Sequence, residues 1–215
     1  MKTVITGANR GIGAAMLTRL RQRGDEVIGT SRKPAGDLVI CDVARPETLG
    51  ALAAAVGEGP LDLLVCNAGV YLDAGQQLED GYPAQMWADT FAVNVTGVFA
   101  TIQTVLPALR RARGRIAIIS SMMGSDEMAQ GGGSYIYRAS KAAALNLGRN
   151  LAADLRGDGI AVGIYHPGWV QTDMGGAQAE VPVDRSAEGL VQRFDALNLD
   201  RSGCFETWDG QTLPF

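Results

Sequence analysis

Short apolar runs alternate along this chain with longer stretches whose apolar residues recur every three or four positions. The first pattern predicts strands and the second helices. The run KTVIT (Lys2 to Thr6) stops at a glycine turn, and Ala14, Ala15, Leu17 and Leu20 then mark a helix ended by Gly24. Strands follow at Glu26 to Ser31 and Leu38 to Cys41, and Pro46 opens an Ala-rich helix that runs to Val56. LDLLVCNAG (Leu61 to Gly69) begins as a continuous apolar run, as expected of a strand covered on both faces. After a polar loop over 71 to 84 comes a long helix from Gln85 to Arg111, then a strand from Arg115 to Ser120. A second long helix spans Ser134 to Arg156, with Ala142, Leu145, Leu147 and Leu151 on its apolar side. The last elements are a strand from Ile160 to Val170, a Gly/Ala loop over 173 to 184, a helix from Arg185 to Leu197 and a short strand, Cys204 to Glu206. Strands alternating with helices predict an α/β fold with a parallel sheet and helices on both faces. No repeat, linker or low-complexity tract divides the chain, so residues 1 to 215 form one domain.

Composition narrows the class. With 47% hydrophobic and 20% charged residues the chain is an ordinary soluble globular protein. A net charge of −4 and the lack of a basic patch argue against nucleic-acid and anionic-membrane partners. No apolar run reaches the ~20 residues that span a bilayer, and the first residues enter a strand directly, without a signal-peptide pattern. Cys41, Cys66 and Cys204 form no CxxC pair; Cys41 and Cys66 end apolar runs and suit small buried thiols in a reducing cytoplasm. The single histidine, His166, is read as structural, and one histidine builds no multi-His metal site.

Two stretches carry candidate chemistry. The first is GANRGIG (Gly7 to Gly13), between a strand and a helix. Glycines there allow a tight turn and close approach of a pyrophosphate, and N–H groups at the helix start face the phosphates. Where NAD-binding units place an acid on the ribose 2′-hydroxyl, the second strand here ends in Ser31, Arg32 and Lys33, and Arg10 adds a third cation. Cations suit a 2′-phosphate, so NADP(H) is expected in preference to NAD(H). A plain glycine turn and a solvated basic loop remain the alternatives. The second stretch runs from the Ser120–Ser121 pair through the glycines at 131 to 133 to Tyr137 and Lys141. At i and i+4 on a helix, the phenol and ammonium share a face. A neighbouring cation lowers a tyrosine's pKa towards working pH, which makes it a general acid or base. The same spacing also occurs on helices without chemistry. Asn67, Ala68 and Gly69 stand at the carboxyl end of the fourth strand, where open α/β sheets bind ligands. Asn94 interrupts a helix with an unfavourable residue.

Taken together, TGANRGIG, CDV (Cys41 to Val43), CNAG (Cys66 to Gly69), Asn94, Ser121, YRASK (Tyr137 to Lys141) and PGWVQT (Pro167 to Thr172) resemble the short-chain dehydrogenase/reductase family over nearly the whole chain. SSMMGS, the GGG loop, HPGWVQTDMGG and the closing WDGQTLPF look like its C-factor-like and sniffer-like carbonyl reductases. The resemblance implies a Rossmann-type, doubly wound, seven-stranded and mainly parallel sheet. It implies interconversion of a small carbonyl compound and its alcohol with NADP(H), in a homodimer or tetramer. Tyr137 would be the acid/base, Lys141 would lower its pKa and hold the nicotinamide ribose, Ser121 rather than Ser120 would bind the substrate carbonyl, and Asn94 would hold a water joining Lys141 to solvent. The cofactor set would comprise Gly7, Asn9, Arg10, Gly11, Ile12 and Gly13 in the turn; Ser31, Arg32 and Lys33 at the 2′-phosphate; Asp42 and Val43 at the adenine; Asn67, Ala68 and Gly69 at the adjacent ribose; Tyr137 and Lys141; and Pro167, Gly168, Val170 and Thr172 around the carboxamide. The short segment after Thr172, with Met122, Met123, Trp169 and the loop around Tyr71, would line the substrate side. The Ser121–Tyr137 interval is longer than is common in the family, as in the C-factor-like subgroup, and Cys66 stands where many members have asparagine. A dinucleotide-binding regulator or signal with little turnover is the alternative function.

Overall fold

A computed structural model describes residues 1–215. Its strands are β1 (Lys2–Ile5), β2 (Glu26–Ser31), β3 (Val39–Ile40), β4 (Leu63–Cys66), β5 (Arg115–Ile119), β6 (Ala161–His166) and β7 (Phe205–Thr207). They form one sheet in the order β3-β2-β1-β4-β5-β6-β7, and every pair is parallel. The helices are α1 (Gly11–Gln22), α2 (Leu49–Val56), α3 (Ala84–Phe91), α4 (Gly97–Ala112), α5 (Tyr135–Asp154) and α6 (Val183–Ala196). The doubly wound architecture expected from the alternation is present.

Successive side chains of a strand point to opposite faces, and the core divides accordingly. Leu64 and Cys66 of β4 and Ile116 and Ile118 of β5 pack with Leu52, Ile102, Leu109 and Leu151 from α2, α4 and α5. Leu63, Val65 and Ala117 pack on the other face with Met16, Leu20, Leu190 and Phe194 from α1 and α6. Apolar demand on both faces explains why β4 and β5 read as unbroken hydrophobic runs.

The strand predicted at Leu38 to Cys41 shrinks to Val39–Ile40, because at the sheet edge it pairs only with Thr30 and Ser31 of β2. The fourth strand ends at Cys66, and Asn67 to Gly69 form the loop beyond it; the sixth ends at His166, before Pro167 and the positive φ of Gly168. The predicted helix from Pro46 begins as a 3₁₀ turn, Pro46–Thr48. The last strand lies one residue later than its apolar run suggested. The long helix predicted from Gln85 to Arg111 is continuous but contains a π turn, Ala92–Thr96, around Asn94. A π turn inserts an extra residue into the helical ladder, so β-branched Val93 and Val95 and the polar Asn94 sit where the regular spacing is already broken. By length and composition, the whole helical stretch Ala84–Ala112 is long and apolar enough to cross a bilayer; half of its apolar window is buried within the fold.

Candidate active site

The carboxyl ends of β1, β2, β4, β5 and β6 border a cleft of about 660 Å³. At one end is the glycine turn. Gly7 takes a φ of 66° and Gly11 one of 54°, both left-handed. A Cβ on Gly13 would lie 2.3 Å from the Gly7 carbonyl oxygen, so only glycine lets the turn fold back on itself. Asn67 stitches this turn to β4. Its Nδ2 donates to the carbonyls of Thr6 (2.9 Å) and Gly7 (3.0 Å), while the Thr6 hydroxyl accepts from the amides of Asn67 and Ala68 at 3.0 Å each. The Asn67 side chain therefore shapes the turn.

Helix α1 starts at this turn with no side-chain cap and no acid in its first turn. Uncapped N–H groups at the positive end of a helix dipole fit an anion. Arg10, Ser31, Arg32 and Lys33 line the same end, and Asp42 and Val43 line it just beyond β3. The donor set thus fits a phosphorylated dinucleotide in chemistry and in backbone clearance. One cation is already engaged: Arg10 reaches across the cleft to Asp173, 2.5 Å away.

At the other end the side chains are buried and tied to one another. Tyr137 and Lys141 of α5 are 8% and 5% exposed. Lys141 Nζ donates to the Ile119 carbonyl (3.0 Å) and lies 5.5 Å from the centre of the Tyr137 ring. Burial without a carboxylate partner pushes the lysine pKa down to about 8. Burial also pushes the Tyr137 pKa up to about 12; Ser121, as hydrogen-bond partner, opposes the rise, and Tyr71 and Asp73 add to it. The sequence suggested a phenol acidified by its lysine. In the folded chain burial moves the phenol the other way, and Ser121 is the group that opposes the rise.

Ser121, and not Ser120, stands against the phenol. The Ser120 hydroxyl turns away and donates to the Lys141 carbonyl (3.1 Å). Ser121 Oγ accepts from the Met123 amide (3.1 Å), which leaves its own proton free to donate. The following turn is pressed against α5: a Cβ on Gly124 would meet the Lys141 backbone carbon at 2.6 Å. Serine, tyrosine and lysine are thereby locked together across the junction of β5 and α5.

Asn94 is 2% exposed, and its side chain is bonded to protein groups. Its Nδ2 donates to Val70 O (2.9 Å) and Ser140 Oγ (3.0 Å), and its Oδ1 accepts from Val70 N (2.9 Å). The side chain thus clamps the chain after β4 onto α5.

Most of the expected cofactor residues line the cleft, including Gly7, Asn9, Gly11, Ile12, Gly13, Asn67, Ala68, Gly69, Pro167 and Thr172. Gly168 and Val170 stand behind its wall: Gly168 packs against Trp208, and Val170 is buried in a bridge to Val181. His166 is also behind the wall, with a buried, unpartnered Nδ1, and burial holds its pKa down at about 4. Cys66 is a core thiol with its pKa raised to about 12 by burial. Sequence reasoning brought the segment after Thr172 and the loop around Tyr71 to the site without singling out Met174 and Val183 in the first or Asp73 in the second. Asp73 is fully buried and accepts from the amides of Ile136 and Tyr137. Its partners are 63 and 64 residues away, so no local pattern marks it.

A sequence model of the family described as short chain dehydrogenase matches residues 2–182. The chain is 41% identical over 166 residues to the C-signal of Myxococcus xanthus, covering 77% of this chain and 99% of that one. Among solved structures it is similar to the NADPH-bound carbonyl reductase from chicken fatty liver, with a TM-score of 0.91, 30% identity, and 100% and 98% of the two chains covered. The carbonyl reductase Sniffer of D. melanogaster gives a TM-score of 0.92 at 26% identity over 100% and 99% of the chains. The sheet order, the glycine turn at α1 and these likenesses agree: the chain belongs to the short-chain dehydrogenase/reductase family, among relatives of C-signal and the sniffer-like carbonyl reductases.

Proposed function

We propose that the protein is an NADPH-dependent reductase of aldehydes, ketones or quinones, running as an alcohol dehydrogenase in reverse. The observation that carries this reading is the buried Ser121–Tyr137–Lys141 group, at the far end of the cleft from an uncapped helix and three cations. The cofactor supplies a hydride from its reduced nicotinamide ring. The turn from Gly7 to Gly13 holds the pyrophosphate, and Arg10, Arg32 and Lys33 favour the 2′-phosphate. Pro167 and Thr172 flank the nicotinamide end.

Tyr137 gives its phenolic proton to the oxygen that becomes the alcohol. A phenol kept protonated by burial is in the right state to donate. Ser121 donates its free proton to the same oxygen and stabilises the charge that develops there. Lys141, 5.5 Å from the centre of the Tyr137 ring, would hold the cofactor's ribose and keep a proton available beside the phenol. Asn94 fixes the wall at Val70, and its main chain is the water contact of this proton supply. Met122, Trp169 and Met174 are 37%, 51% and 45% exposed, as befits the mouth of an apolar substrate site. The same reading places the protein in a reducing cytoplasm, with its three thiols unpaired. It includes a homodimer, or a tetramer, through α4 and α5.

The test is Tyr137→Phe. Turnover of NADPH with a panel of aldehydes, ketones and quinones should fall by about 10³-fold or more, while fluorescence titration still shows NADPH binding. Near-normal rates would remove Tyr137 from the mechanism. The relation to C-signal favours a second reading, a dinucleotide-binding signal or regulator. Tight NADPH binding with no carbonyl-dependent oxidation in the wild type would support it.

A further inference from the structure

The start of α5 is held from an unusual place. Ser134, at its N-cap, has left-handed backbone angles (φ 51°, ψ 37°) and makes no side-chain cap bond. The cap comes instead from Asp73 in the loop after β4. Asp73 Oδ2 accepts from Ile136 N at 2.8 Å, and the two carboxylate oxygens lie 3.2 and 3.3 Å from Tyr137 N. Asp73 is 0% exposed. A buried carboxylate is costly unless charge-assisted bonds and a favourable dipole compensate, and the first turn of a helix supplies both.

Ser134 is a residue type that caps helices locally without burying a charge, but its hydroxyl is bonded to Tyr71 instead. The remote carboxylate does something more. It belongs to a short strap, residues 70 to 73, pinned at one end by Asn94 through Val70 N and O. At the other end it is pinned by Asp73, and between them the Tyr71 hydroxyl bonds Ser134 Oγ at 2.5 Å. The Tyr71 ring lies 4.4 Å from the Tyr137 ring, tilted by 31°. The amide of the proton-transferring residue and the face of its ring are thus both held by one strap.

We propose that Asp73 is a positioning residue for Tyr137: its carboxylate fixes the first turn of α5, and with it the place of the phenol, and biases that phenol towards its protonated form. The proposal rests on the reading of Tyr137 as proton donor. The titratable groups around the phenol are Tyr71 and Asp73 from the strap and Lys141 from α5, with the Ser121 hydroxyl facing it from the turn after β5. Tyr71 and Asp73 both disfavour a phenolate, and Asp73 is the one that also bonds the Tyr137 amide, so removing its charge makes the phenol easier to ionise.

The experiment compares wild type with Asp73→Asn in NADPH-dependent reduction of 4-nitrobenzaldehyde across pH. Reduction needs the protonated phenol, so the high-pH decline of kcat should move to lower pH in Asp73→Asn. At the optimum kcat should fall about 10-fold, with KM for NADPH within about 2-fold of wild type. A second measurement is independent of turnover. In protein labelled with 13Cζ-tyrosine, the Tyr137 resonance, assigned with Tyr137→Phe, should begin its titration at lower pH in Asp73→Asn. An unmoved titration overturns the proposal, as does a kcat that falls only with the folded fraction. Should Asp73→Asn fail to fold, Asp73→Ser takes its place, keeping an oxygen for the helix amides without the charge. A wild type that titrates as described but leaves the whole carbonyl panel unreduced would instead count against the proposed function.

Discussion

The two ends of the cleft solve opposite problems. The end formed by β1, α1 and β2 works with backbone and exposed charge. Its glycines bring N–H groups to the surface, its helix start carries no cap, and Arg10 is 60% exposed. The end formed by the strap, the turn after β5 and α5 works with burial. Tyr137, Lys141, Ser121 and Asn94 are each less than 10% exposed and held by named partners. Screened charges at the first end select an anion without fixing its geometry closely. Buried groups at the second have their proton affinities set by desolvation, and each depends on its neighbours. Substitutions at the first end should therefore act separately on cofactor affinity, and those at the second should act together on rate, pH dependence and stability.

The sharpest separation should come from Lys141→Met. Turnover should fall by about 10²-fold or more, yet the fold should gain stability at pH 7. Folding lowers the lysine pKa from 10.5 to about 8. Between those values the unfolded chain binds more protons, so wild-type stability rises with pH across this window, and below it the cost of the buried charge is constant. The advantage of Lys141→Met should accordingly be greatest below pH 8 and vanish above pH 10.5. Thermal melts at pH 7 and 10 check it, and a variant destabilised at pH 7 would contradict a lysine under desolvation stress.

At the other end, replacing Arg32 and Lys33 together with serine should raise KM for NADPH about 10-fold or more while moving KM for NADH by about 2-fold or less, with kcat preserved. Equal changes for both cofactors would remove the argument for the 2′-phosphate. The smallest effect is expected from Asp173→Asn. It frees Arg10 from its exposed partner and should lower KM for NADPH by about 2-fold, an effect that fades in high salt. A rise in KM would mean that the Arg10–Asp173 pair shapes the turn.

The sequence disclosed these two ends unequally. Glycine spacing between a strand and a helix is local, and so are a serine pair and a tyrosine four residues from a lysine. The order of strands and helices was legible for the same reason, because period-two and period-3.6 burial are written into consecutive residues. The edge position that shortens β3 depends on which strand pairs with which.

What the amino-acid sequence determined by itself was the doubly wound sheet, the glycine turn before α1, the cations beyond β2 and the ionisable side chains around α5. Each follows from residue type and short spacing. What only the tertiary structure decided was how those side chains behave. It turned Ser120 onto a helix carbonyl and left Ser121 at the phenol. It raised the proton affinity of Tyr137 by desolvation, committed both Asn94 Nδ2 protons to Val70 and Ser140, and brought Asp73 across 63 residues to the start of α5. Burial and long-range hydrogen bonds belong to the packed molecule, and no window of neighbouring residues contains them.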